Sequence, residues 1–199
     1  SSINWNYKFF HYLKASQLNL SFLSSTIALI IPSIKGIFFS SKSSFTFLAI
    51  SPNHQLSIDL SEKDENIKLF LEKCKDLKTA EADIAKAEKL GIDTGKKVIH
   101  PITKEKLPVW IGNFVLLDYG TGVVMGVPGH DERDFEFATK YKIDIKQVIK
   151  NDKDDLPISD KGILINSDNF DGMTSEDASK EIINKLIELD CGNSLIQFR

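Results

Sequence analysis

The chain has 199 residues, 42% of them hydrophobic and 27% charged, which is enough apolar material for one packed domain. A net charge of −3 excludes a general nucleic-acid binder, which needs a basic surface to displace counterions from many phosphates. A grip on one RNA end through a local patch stays open.

Cys74 and Cys191 match neither a disulfide framework nor a zinc spacing, so a reducing, cytoplasmic setting is expected. His11, His54, His100 and His130 form no ligand pair, and no metal site is expected. Charge is uneven along the chain. Residues 1–50 hold four Lys and no Asp or Glu; their +4 against a total of −3 leaves −7 for the rest. The uncharged run Ala15–Ile34 raises the question of a membrane span. Gln17, Asn19, Pro32 and several serines interrupt it, and it reads better as β-prone core.

From Ser61 the punctuation is clearer. Ser61 with Asp64 resembles a capping box, predicting a helix near 62–75. A second helix is predicted near 79–90, rich in Ala, Glu and Lys, with Gly91 at its C′ position. Lys97–Ile102 and Leu107–Leu117 read as a hairpin about a Thr103–Lys106 turn. The turn Tyr119-Gly120-Thr121-Gly122 leads into a strand, Val123–Val127, that stops at Pro128-Gly129. Asp131 opens a helix running to about Tyr141. A strand at Gln147–Ile149, an acidic loop and a strand at Gly162–Asn166 follow. The last helix, Ser175–Asp190, is capped by Thr174 and Asp177 and ended by Gly192. The reading is a mixed α/β, β-dominated fold with helices as peripheral covers.

The chemistry concentrates in YGTGVVMGVPGHDERDFEF, Tyr119 to Phe137. Glycines allow backbone to approach a ligand closely. Asp131 and Asp134 fall on one side of the first helical turn, where a carboxylate pair can hold an ammonium by charge-assisted hydrogen bonds. No Ser or Cys is paired with a base, so water is the natural attacker in a hydrolysis. A plainer reading stands beside this one. Asp131 serves as an N-cap, Asp134 completes a capping box, His130 is a structural hydrogen bonder and Met125 fills core.

GTGVVMGVPGHDERDFEFATKY resembles the signature of the editing insertion in class I aminoacyl-tRNA synthetases for leucine, isoleucine and valine. Met125 and Asp131-Glu132-Arg133-Asp134 match the leucine type, where the other two usually carry His and a G-x-D-D pattern. The flanking stretches AEADIAKAEKLGIDTGKKVIHPITKEKLPVWIGNFVLLDYG and KGILINSDNFDGMTSEDA resemble the family's neighbouring segments, and Gln197-Phe198-Arg199 its return toward the catalytic core. The likeness runs from about Phe47 to Arg199.

That resemblance implies a single editing domain cut from a larger synthetase, with a β-barrel-like core and peripheral helices. The implied activity is hydrolysis of the ester joining a wrong amino acid, such as norvaline or isoleucine, to tRNA(Leu). One methylene separates side chains by only ~1–3 kcal/mol, so a second sieve is needed. The resemblance gives Asp134 the substrate's α-ammonium and makes Met125, Val127 and Tyr119, Gly120, Thr121 and Gly122 the pocket lining. Asp131 and Arg133 steady the site, and His130 falls within the motif. Editing itself implies no cofactor; ATP and Mg belong to the parent synthetase, and the partners are the tRNA acceptor end and the rest of that enzyme.

Residues 1–44 depart from the family. Leucine-type domains carry Thr-Thr-Arg-Pro-Asp-Thr shortly before the segment matching Thr46–Ile50, and this chain has Gly36-Ile37-Phe38-Phe39-Ser40-Ser41 there. Three functions are therefore weighed: an active editing hydrolase, a degenerate editing domain with a structural or tRNA-contacting role, and an unrelated membrane-tethered or interaction module.

Overall fold

The computed structural model describes residues 10–11, 46–76, 88–117, 121–152, 155–189 and 194–195. Its centre is the strand β2 (Phe47–Ile50), all four residues of which are buried. A strand alternates its side chains, so an unbroken apolar run suits a position covered on both faces. Phe47 and Ala49 join Trp110, Val115, Phe137, Ala138 and Ile143 on one side. Leu48 and Ile50 join the larger cluster of Ile67, Leu71, Val98, Val109 and Ile111 on the other.

Flanking β2 are β4 (Lys106–Gly112), parallel to it, and β5 (Val123–Gly126), antiparallel. β4 also pairs antiparallel with β3 (Gly91–Ile99), giving the order β3-β4-β2-β5. Against the sheet lie α1 (Gln55–Ser61), α2 (Glu65–Asp76), α3 (Glu132–Tyr141) and α4 (Ser175–Glu188). Two short antiparallel pairs complete the described fold: β6 (Ile149–Lys150) with β7 (Ile163–Leu164), and β1 (Phe10–His11) with β8 (Ser194–Leu195).

Mixed α/β architecture is as predicted, and among the described residues helix outnumbers strand. The four-stranded sheet is open there, with β3 and β5 at its edges, so no barrel-like closure is seen among the described residues.

Several boundaries shift for identifiable reasons. α1 is an addition: seven residues are too short for a clear period, and its cap is His54, whose Nδ1 accepts from Leu56 N at 3.1 Å. The predicted capping box splits. Ser61 Oγ donates back to Ile58 O inside α1, while Asp64 Oδ1 alone accepts from Asn66 N and Ile67 N to start α2. Gly91 begins β3 rather than ending a helix, and the rest of the expected 79–90 helix lies mostly outside the described residues.

β3 also starts earlier than the predicted Lys97. A register shift between Asp93 and Lys97, centred on Gly95 at φ 66°, hides the alternation. The hairpin turn falls at Pro101–Thr103, and β4 ends at Gly112 rather than continuing to Leu117. α3 and α4 begin where predicted. In α4 Thr174 Oγ1 accepts from Asp177 N and donates to Asp177 Oδ2, so the cap pairs with Asp177 through its hydroxyl rather than its backbone N–H. Ala15–Ile34, Tyr119, Gly120 and Gly192 lie outside the described residues.

Candidate active site

β5 runs out at Gly126, and the chain turns through Pro128–His130 into α3. The turn is tied by His130 N and Asp131 N, both donating to Val127 O at 2.9 and 3.1 Å. Asp131 is the N-cap: its Oδ1 accepts from Arg133 N at 3.0 Å and Asp134 N at 3.2 Å. The same oxygen lies 3.8 Å from Arg133 Nε, and the arginine side chain is largely exposed.

Asp134 does something else. In a capping box its carboxylate would turn back to the cap's own N–H; instead Oδ2 accepts from Val127 N at 3.0 Å, seven residues upstream. One carboxylate therefore ties the end of β5 to the first turn of α3. Its other oxygen faces Lys89 Nζ at 3.9 Å, and the two side chains keep only 18% and 19% of their surface exposed. Burial, more than anything else, pushes the Asp134 carboxyl above the usual aspartate range, with the neighbouring Asp131 adding to it. The Val127 N–H, Lys89 and Arg133 pull the other way. Burial likewise lowers the Lys89 ammonium, against the attraction of Asp134.

His130 is buried at 1% exposure. Val148 N donates to its Nε2 at 3.1 Å, which leaves the proton on Nδ1 to donate to Ile158 O at 2.9 Å. The ring is a neutral strut between the motif and two later segments. That geometry suits the structural reading of His130 better than contact with substrate.

Met125 and Val127 are half-buried and pack against the larger cluster, on the opposite face of the sheet from Phe137 of α3. Thr121 and Gly122 lie before β5, and Gly122 O accepts from Ser51 N at 2.8 Å. Gly122 takes φ 71°, which L side chains rarely adopt, so the glycine is required by its backbone; a Cβ there would also crowd Leu117. Thr121-Gly122 and Val127 stand at opposite ends of β5, about 17 Å of extended chain apart. The described residues thus gather Val127, Asp131, Arg133 and Asp134 in one place and leave the glycine turn at the far end. Two cavities, of about 430 and 610 Å³, are lined by other residues altogether.

Sequence reasoning missed Lys89 and its support. Asn113, just past β4, accepts from Leu90 N through Oδ1 at 2.9 Å and donates through Nδ2 to Glu88 O at 3.1 Å. Lys140 of α3 donates to Lys89 O at 3.1 Å. No local signal in Glu88-Lys89-Leu90 separates such a lysine from a solvated one, because its partners Phe114, Asp134 and Lys140 all lie far along the chain, Lys140 51 residues away.

The fold matches a chain of the crystal structure of the ternary complex of Agrobacterium radiobacter K84 agnB2 LeuRS-tRNA-LeuAMS, with TM-score 0.62 and 25% identity. That match covers 95% of this chain and 20% of the other. The architecture is therefore one found within an aminoacyl-tRNA synthetase.

A family profile, leucyl-tRNA synthetase, editing domain, matches residues 40–187. Leucine-tRNA ligases of Hahella chejuensis and Marinobacter nauticus are 48% and 46% identical over 160 residues. Each alignment covers 77% of this chain, which spans 19% of the relative's length. The chain belongs to the leucyl-tRNA synthetase editing-domain family.

Proposed function

We propose that this chain is the post-transfer editing module of a leucyl-tRNA synthetase, hydrolysing the ester between tRNA(Leu) and a wrong amino acid such as norvaline or isoleucine. The observation that carries the reading is Asp134. A family member holds a buried carboxylate fixed at one oxygen by Val127 N–H and turned at the other toward an ammonium 3.9 Å away. An aminoacyl ester presents the same group, an α-ammonium, beside the carbonyl to be attacked. Asp131 and Arg133 set the helix turn that aims Asp134, and His130 holds that turn against Val148 and Ile158.

Met125 and Val127 supply apolar surface for a side chain, and the Tyr119–Gly122 turn, at the far end of β5, a close backbone approach for a more distant part of the aminoacylated tRNA end. Water attacks the ester carbonyl and no metal takes part. The barrel-like core, tRNA(Leu) and the remainder of the synthetase as partners, and a cytoplasmic setting belong to the same proposal.

The second reading, a degenerate domain that hydrolyses poorly, is favoured by one observation: residues 36–41 lack every Thr, Arg and Asp of the leucine-type segment. Deacylation of norvalyl-tRNA(Leu) by the purified chain, with and without chelator, decides between them. A rate above buffer that chelator leaves unchanged supports editing. No rate at all supports the degenerate domain, and a rate lost with a bound metal refutes the metal-free chemistry.

A further inference from the structure

Lys89 is held in an unusual way. Its backbone is fixed from both sides: Asn113 clasps Glu88 O and Leu90 N, Asn113 N donates to Leu90 O at 3.0 Å, and Lys140 bonds Lys89 O. Its ammonium is held far more loosely. Nζ lies 4.7 Å over the Phe114 ring and 3.9 Å from Asp134 Oδ1, beyond the length of a hydrogen bond. A clamped stem with a loosely engaged charge can yield its partner without unfolding its loop.

We propose that Lys89 is a specificity-setting counter-ion of the site, competing with the α-ammonium of an aminoacyl ester for Oδ1 of Asp134. This rests on the editing reading above. A carboxylate with one oxygen committed to Val127 N–H has one oxygen left, and two ammonium groups cannot share it at contact distance without repelling each other. A cation reaching Oδ1 of Asp134 must displace Lys89 toward Phe114 and solvent, and a neutral amide gains nothing by doing so. Lys89 thus raises the threshold for entry to groups carrying a well-placed positive charge.

The charged neighbours do not replace it. Arg133 is largely exposed and engaged with Asp131, while Asp131 and Glu136 add negative charge on the lysine's side. Lys140 is tied to Glu88 at 2.7 Å.

The test uses the full chain and norvaline methyl ester as probe, with binding followed by the carboxyl ¹³C resonance of Asp134 at neutral pH. Lys89→Met keeps the stem over Phe114 and removes the charge, and it should bind the probe roughly tenfold more tightly than the parent. Lys89→Arg offers a fork that can take the carboxylate in two bonds, and it should bind more weakly than the parent. Lys89→Gln carries the same expectation as Met should the Met variant fail to fold. Equal affinity in parent and Lys89→Met, or weaker binding in the latter, overturns the competition while leaving Asp134 as the ammonium anchor. An Asp134 resonance indifferent to the probe in every variant overturns the anchor itself, and the proposal with it.

Discussion

At Asp134 one side chain has two jobs that mutation can separate. Asp134→Asn keeps an oxygen for Val127 N–H and loses the charge; Asp134→Ala loses both. Leaving a part-buried N–H without its partner costs up to about 1–3 kcal/mol, so the Ala variant should melt lower while the Asn variant stays near the parent. Both should lose deacylation, because an ammonium finds no charged partner in either. An Asn variant that deacylates at the parent's rate would reduce Asp134 to a tether between β5 and α3.

The same residue predicts a pH dependence. Its carboxyl is raised above the ordinary aspartate range by burial, so the folded state binds a proton that the unfolded chain has already released. That contribution favours the fold below the ordinary aspartate value and is lost as pH rises through the raised one. Urea titrations across this window should show the parent losing stability with pH relative to Asp134→Asn. Activity moves oppositely. Deacylation, which needs the ionised carboxylate, should fall on acidification at a higher pH than an ordinary aspartate would give.

Among the elements, α3 was the most legible in the sequence and also positions the site. Asp131 followed by an amphipathic run is a strong start signal, and Phe137 and Ala138 fall on its buried face. What could not be read was where that face lands. Phe137 stacks with Phe47 at 5.4 Å between centroids and meets Trp110, Phe114 and Tyr141 edge-on or tilted, three partners from elsewhere in the chain and one from its own helix. Asp131 as cap was legible for the same local reason, whereas the bond from Val127 to Asp134 and the approach of Lys89 depend on tertiary placement. β3 was half-missed because Gly91 and Gly95 look like helix and turn punctuation.

In the structure both glycines lie in a strand. Gly91 has Phe137 so near that an added Cβ would lie 2.6 Å from the ring. Gly126 is tighter still, its absent Cβ falling 2.1 Å from the ring of Phe47, which is fully buried and has nowhere to go. Gly126→Ala should therefore cost about 1–3 kcal/mol by overpacking. It should also weaken deacylation, since Val127 follows directly. Unchanged thermal stability in that variant would show that the Phe47 ring can move.

For the molecule as a whole, the family profile begins at residue 40, and the segment before it is where sequence and family part. Asp134 and its surroundings can hold the amino end of a substrate, but an ester hydrolase also needs a positioned water and donors for the developing oxyanion. Removing one preorganised donor of that kind commonly costs ~10²–10³ in rate. In place of Thr-Thr-Arg-Pro-Asp-Thr, residues 36–41 offer two serine hydroxyls, no guanidinium and no carboxylate. The chain should accordingly deacylate norvalyl-tRNA(Leu) far more slowly than a leucine-type domain that carries the segment. It should also discriminate poorly, because residues 36–41 supply no threonine to exclude the side chain of leucine from Leu-tRNA(Leu). Rebuilding Gly36–Ser41 as Thr-Thr-Arg-Pro-Asp-Thr should raise the rate on norvalyl-tRNA(Leu) and leave leucyl-tRNA(Leu) intact. The rebuilt chain should keep its dependence on Asp134, so that adding Asp134→Asn returns it to the slow rate. Fast and selective deacylation by the chain with its own residues 36–41 would mean that the serines, or the tRNA itself, provide the water and the oxyanion donors.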